Sequence, residues 1–213
     1  MFEKLIENLK KNNIEAYFVE TKEDVVPLVK KLTNEGDTVS CGGSVTLQET
    51  GVFDLLKSGR YKFLDRSREG ITPDEVQEVY RKTFSADVFF GSANAVTENG
   101  EIYNVDGNAN RISAMTFGPK SVILIVGKNK IVSDLKQAEI RVKTICAPKN
   151  CKRLGLDTHC ARTGRCVSLN KENHHMSDGC NSESRICCSY AVFGHQRTKN
   201  RIKVIIVNEE LGF

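Results

Sequence analysis

Ser121-Val122-Ile123-Leu124-Ile125-Val126 is the clearest core strand in the chain, a continuous apolar run of the length a strand uses. Reading outward from it, Asp87-Val88-Phe89-Phe90, Asp37-Thr38-Val39-Ser40-Cys41, Tyr61-Lys62-Phe63-Leu64 and Ala16-Tyr17-Phe18-Val19 read as strands on its amino side. Ile202-Lys203-Val204-Ile205-Ile206-Val207 reads as a final strand closing the sheet. Helical patterns alternate with these runs. Phe2, Leu5, Ile6 and Leu9 follow helical spacing, Thr21 caps a helix through Lys31, and Val45 to Lys57 is amphipathic. Thr72-Pro73-Asp74-Glu75 starts a helix reaching Phe84, because proline suits a first turn and acids favour its positive end. A further helix is expected over 131–143. Parallel neighbours require crossover connections, so this alternation predicts a layered α/β fold with a mainly parallel sheet.

Two local features interrupt the alternation. Glu98-Asn99-Gly100-Glu101 predicts a tight hairpin between two antiparallel strands, since an Asn-Gly pair tolerates positive φ. Asp106-Gly107-Asn108-Ala109-Asn110 then opens a short helix through Met115.

The length, 213 residues, fits one domain. Met1 to Asn8 carries acids where a signal peptide has an apolar core, and no apolar run is long enough to span a bilayer, so a cytoplasmic protein without a membrane span is expected. Net charge is +4, but the segment from Cys146 to Lys203 holds eleven Lys/Arg against four Asp/Glu. Such a segment can hold an anion, offset thiolate charge or form a solvated face. No basic helix interleaved with aromatics is present, and nucleic acid is not an expected partner.

Chemistry-bearing residues fall into three groups. Cys41-Gly42-Gly43-Ser44-Val45-Thr46 joins a strand end to a helix, where free amides and the hydroxyls of Ser44 and Thr46 can hold a phosphate or carboxylate. A tight turn with a serine cap is the equally simple reading. Cys41 reads as a small buried residue. Glu98, Asp106, Asn108, Asn110 and Arg111 form the second group: Glu98 or Asp106 as general base, Arg111 as anion clamp and the asparagines as binding amides. Singly, these read as turn residue, caps and surface charge. Both groups lie near predicted strand ends, and open α/β sheets bind ligands at that edge.

The third group is sulfur. Seven of the eight cysteines lie between Cys146 and Cys188, and all four histidines, His159, His174, His175 and His195, follow within the 146–200 segment. Structural disulfides are rare in a reducing cytosol, which favours metal. Cys160, Cys166, Cys180 and Cys187 are the candidate ligands. Their spacing matches neither a zinc ribbon nor a common ferredoxin run, and on count they suit an iron–sulfur cluster or structural zinc equally. Cys146, Cys151 and Cys188 are spare. Since 146–200 is long for a loop, it is expected to be a metal-organised insertion before the last strand.

The motifs also line up in order. Gly42-Gly43-Ser44-Val45-Thr46-Leu47-Gln48-Glu49-Thr50-Gly51, Asn94-Ala95-Val96-Thr97-Glu98-Asn99-Gly100-Glu101, Asn104-Val105-Asp106-Gly107-Asn108-Ala109-Asn110-Arg111 and Phe117-Gly118-Pro119-Lys120 resemble the LUD (lactate-utilisation) domain family. Ala147-Pro148-Lys149-Asn150, Arg185-Ile186-Cys187 and the 201–207 run extend the match toward the carboxyl end. The resemblance implies a fold similar to the ribose-5-phosphate isomerase and CoA-transferase superfamily. It also implies a role in or beside bacterial lactate oxidation, with a small anionic metabolite and other subunits of a lactate-oxidising system as partners. Many relatives carry a four-cysteine tail, consistent with a 4Fe–4S cluster, and Cys160, Cys166, Cys180 and Cys187 look like its equivalents. Here Val167 to Gly179 is inserted between the middle pair. An accessory electron-transfer subunit is the alternative to a metabolite-binding enzyme, and homo-oligomerisation is left open.

Overall fold

The structure, a computed structural model, describes residues 2–213. Six strands form its central sheet: β1 (Glu15–Val19), β2 (Thr38–Cys41), β3 (Lys62–Phe63), β4 (Val88–Gly91), β7 (Ser121–Gly127) and β10 (Ile202–Val207). They lie in the order β3-β2-β4-β7-β10-β1, and every neighbouring pair is parallel. The final strand does not close the sheet. It sits inside, between β1 and β7, because Ile202, Val204 and Ile206 face one core while Ile205 and Val207 face the other. A strand that is apolar on both faces loses stabilisation at an edge, where one side of its ladder meets solvent.

The same alternation on β7 divides the molecule into layers. Val122, Leu124 and Val126 pack with Leu5 and Leu9 of α1 (Phe2–Lys11) and with Ile112 and Met115 of α6 (Asn110–Thr116). Ile123 and Ile125 pack with Val25 and Val29 of α2 (Val25–Leu32), Leu47 of α3 (Val45–Glu49) and Val52 of α4 (Val52–Lys57). Each such side chain is buried, worth about 1.5–3 kcal/mol where burial is complete. The expected single helix over 45–57 is two, because Gly51 takes φ +70° and breaks it. Helix α5 (Pro73–Thr83) begins as expected. Thr72 accepts from the Glu75 amide while Glu75 accepts from the Thr72 amide, a complete capping box.

A second, four-stranded sheet lies in the order β8-β5-β6-β9, from β5 (Ala95–Thr97), β6 (Ile102–Asp106), β8 (Ile131–Val132) and β9 (Ser189–Phe193). The antiparallel pair β5–β6 matches expectation, but Gly100 alone of the Asn-Gly pair has positive φ. Thr97 N donates to Glu101 O and Gly100 N to Thr97 O, so this is a three-residue loop. Residues 131–132 are strand, and the next helix, α7 (Leu135–Arg141), starts at Asp134, whose carboxylate accepts from the Gln137 amide. One π-helical turn, Val142–Cys146, joins it to α8 (Ala147–Arg153). The 146–200 segment is not one irregular insertion: it contains α8, α9 (His159–Thr163) and β9, which pairs with β6 from Ser189 to Phe193. No helix among the described residues is long and apolar enough to cross a membrane.

Candidate functional site: a carboxyl-edge cleft beside a thiol chamber

The carboxyl ends of β2, β4 and β7 open into a cleft of about 330 Å³. Gly43, Ser44 and Thr46 line it after β2, Ser92 after β4 and Lys130 after β7. The β6–α6 loop supplies Asp106, Asn108, Asn110 and Arg111, and α8 supplies Asn150 and Arg153. Two of the residues expected in the site are not lining residues. Glu98 sits at the hairpin tip, where its carbonyl accepts from Asn8 Nδ2 and its amide donates to Val132 O, so it is no candidate base for this cleft. Gly42 lies underneath: a Cβ there would stand 3.2 Å from Arg111 Cδ, and its role is to let the arginine stem pass.

Asp106 and Arg111 are committed to each other. Arg111 Nε donates to Asp106 Oδ1 at 2.8 Å, and Nη2 stands 2.7 Å from the same oxygen. Asp106 Oδ2 accepts from the Ile112 amide at 2.7 Å. The guanidinium also donates to Ser92 O, Val105 O and Asn94 Oδ1. With four of its five N–H donors used, Arg111 chiefly organises the cleft wall, and Asp106 holds Arg111 and the start of α6. Ala109, at φ +57°, bends the chain between them, a left-handed conformation unusual for alanine. Ser44 likewise acts as the cap of α3, accepting from the Leu47 amide.

Guanidinium groups with more donors unused come from elsewhere. Arg66 donates through Nη1 to Tyr80 Oη and lies over that ring, while its Nη2 is the group a Cβ on Gly43 would strike, at 2.7 Å. Gly43 is therefore the residue that lets Arg66 lie over the turn. Arg153 uses Nε and Nη2 on Asn150 Oδ1, leaving Nη1. Neither arginine stands out in sequence, because nothing local marks an arginine whose fork is left open.

Lys130 was also missed. It is 2% exposed, and its Nζ donates to Thr46 Oγ1 at 2.8 Å and Ser92 Oγ at 3.0 Å. Burial foremost, then the nearby Arg141 charge, lowers its pKa from 10.5 to about 7. Its position, three residues past the strongest strand of a parallel sheet, was the available signal. Arg141, itself buried, donates to Asn129 O and Asn94 O, and its Nη1 lies 2.7 Å from Cys146 Sγ.

Behind the cleft is a narrower chamber of about 20 Å³. Its lining includes Cys160, Cys166, Cys180 and Cys187, all four expected ligands, and also Cys151. Arg185, Ile186 and Cys187 border both spaces. Arg185 ties the chamber's loop together, donating to the carbonyls of Ser177, Cys180 and Cys187. Burial first, then neighbouring thiols, pushes Cys187 up to about 12 and Cys151 up to about 11. Cys41 is buried elsewhere in the apolar core and Cys188 is exposed; all eight cysteines are free thiols.

The donor chemistry of the chamber suits zinc or an iron–sulfur cluster. Cys151 Sγ and Cys160 Sγ stand 3.8 Å apart. That is about the edge of a tetrahedron with 2.3 Å metal–sulfur bonds. Among the described residues, however, no three His, Cys, Asp or Glu side chains stand together in a metal-holding group. None of the four histidines lines the chamber.

The fold and cleft define an α/β protein with a ligand-sized opening at the carboxyl edge of a parallel sheet. Residues 2–207 match the family described as LUD domain, and the chain belongs to that family. No curated protein sequence matches it. The chain is similar to a DUF162 family protein from Deinococcus radiodurans solved by crystallography at 1.70 Å resolution: identity is 14%, 97% of this chain and 95% of that chain are covered, and the TM-score is 0.47.

Proposed function

We propose that the chain binds a small anionic metabolite in the carboxyl-edge cleft, in the lactate-utilisation-related role that membership of the LUD domain family suggests. The observation that carries this reading is the pair Arg66 and Arg153, whose guanidinium groups line the cleft with donors left over, beside the hydroxyls of Thr46 and Ser92. A carboxylate or phosphate is what such forks recognise. Calorimetric titration with lactate, pyruvate and inorganic phosphate tests it. Binding of at least one, weakened in Arg66→Ala, is the expected outcome; heats indistinguishable from dilution for all three sink the reading.

A second reading starts from a separate observation, that five thiols line the adjoining chamber. Here the chain is an accessory, electron-transferring subunit of a lactate-oxidising assembly, with Cys160, Cys166, Cys180 and Cys187 as ligands and Cys151 as a further candidate. An iron–sulfur cluster would supply one-electron chemistry there, and zinc a structural tie. What the chain's own residues do is collect thiols, crowd them so that a cation is favoured, and close the chamber with Arg185. Iron, sulfide and zinc analysis of anaerobically prepared protein separates the outcomes: iron with sulfide supports electron transfer, zinc leaves a structural role, and metal-free folded protein rejects both.

A further inference from the structure

Lys130 is a cation-forming side chain placed where a cation is poorly served. Its Nζ donates to two hydroxyls, and both are themselves acceptor-directed: Ser92 Oγ donates to Ile125 O at 2.6 Å and Thr46 Oγ1 faces Leu211 O at 3.5 Å. A neutral amine has two protons, which these two acceptors use, and one lone pair. An ammonium has a third proton, for which the described residues offer no hydrogen-bond acceptor, and Lys130 forms no salt bridge among them. The charged and titratable groups around it are mixed. Arg141 and Arg111 disfavour the ammonium, Cys146 and Glu49 favour it, and burial outweighs each of them. Burial and the lack of a third acceptor thus favour the neutral amine, at the floor of the cleft.

An amine with a free lone pair is a nucleophile toward carbonyl carbon. The same cleft holds guanidinium forks suited to a carboxylate. We propose that Lys130 is a covalent nucleophile for a small 2-oxo acid. This rests on the reading that the cleft binds a small anion, and it narrows that anion to one bearing a carbonyl. The Nζ lone pair attacks the keto carbon and forms the C–N bond. The carbonyl oxygen takes up both amine protons, by way of the Thr46 and Ser92 hydroxyls, and leaves as water. An imine remains, in equilibrium with the iminium ion that cyanoborohydride reduces, and its formation consumes no oxidant or reductant. Thr46 and Ser92 are positioning residues that aim the amine and pass protons.

Pyruvate with cyanoborohydride is the probe. The whole chain is incubated with both at neutral pH, digested and mapped by mass spectrometry. The expected result is a reduced pyruvate adduct concentrated at Lys130 over the surface lysines. Lys130→Arg keeps a cation but cannot form the imine under these conditions, and its digest should lack the adduct. Trapping in the unaltered protein is decisive even where that variant does not fold. Pyruvate binding by calorimetry without an adduct at Lys130, or an adduct spread evenly over all lysines, overturns the covalent role and leaves the anion site standing. Absence of both binding and adduct removes both.

Discussion

The cleft and the thiol chamber share a wall, yet they are built in opposite ways. The cleft is framed by ends of strands β2, β4 and β7, whose registers are fixed by two apolar cores, and its polar groups are largely matched. Asp106 serves Arg111 and Ile112, while Asn94 Oδ1 serves both Arg111 and the Val105 amide. The chamber is assembled from α8, α9 and the chain between Cys166 and Cys187, held chiefly by Arg185 to backbone carbonyls. Its polar groups are not all matched: Tyr103 Oη, fully buried on its lining, has no hydrogen-bond partner. A parallel sheet pre-organises a site before any ligand arrives, whereas a cluster of thiols raises the free energy of its own charged form until a cation is present.

The largest expected effect probes the matched side. Asp106→Ala leaves the mostly buried Arg111 guanidinium without its counter-ion, a change that costs about 3–5 kcal/mol in such sites. Urea unfolding measures it. A loss below ~1 kcal/mol shows that the wall does not depend on this pair.

Next in size is the pH response of Lys130. Its folded pKa lies below the unfolded value, so below about 7 both states are protonated and the folded state carries the full cost of a buried charge. Between about 7 and 10.5 the unfolded chain binds the extra proton, and stability rises with pH. The slope is up to ~1.4 kcal/mol per pH unit. The unfolding free energy of the natural protein minus that of Lys130→Met should rise by roughly 2 kcal/mol between pH 7 and 9; a pH-independent difference breaks the assignment.

A smaller effect separates the open arginines from the committed one. Arg66→Ala should weaken anion binding by roughly tenfold, about 1.4 kcal/mol, with the unfolding midpoint little changed. Equal loss of stability and binding would place Arg66 with Arg111 as a scaffold group. On the chamber side, Cys187→Ser should lower bound zinc or iron, while exposed Cys188→Ser should leave it at the natural level. Identical metal content in the two variants would detach Cys187 from any centre.

Much of this was legible along the chain because its signals are local. The Ser121–Val126 run, the Thr72-Pro73-Asp74-Glu75 start and the β5–β6 hairpin each depend on neighbours within a few positions. The Asp106 to Arg111 span was legible as polar density, but not as a closed pair, since a guanidinium's partners are counted in space. Glu98 was misplaced for the same reason: its turn is near the cleft in sequence and directed toward α1 in the fold. Arg66, Lys130 and Arg153 lie far apart along the chain and carry no mark of their own.

Sequence alone determined the alternation of strands and helices, and hence a parallel sheet, because apolar periodicity is written residue by residue. It also marked four cysteines as candidate ligands. Only the tertiary structure decided that β10 lies inside the sheet, that Cys151 lines the same chamber as the four, and that Lys130 meets two hydroxyls beneath an opening. Those facts arise from burial and pairing between distant segments, which depend on three-dimensional proximity that no local pattern encodes.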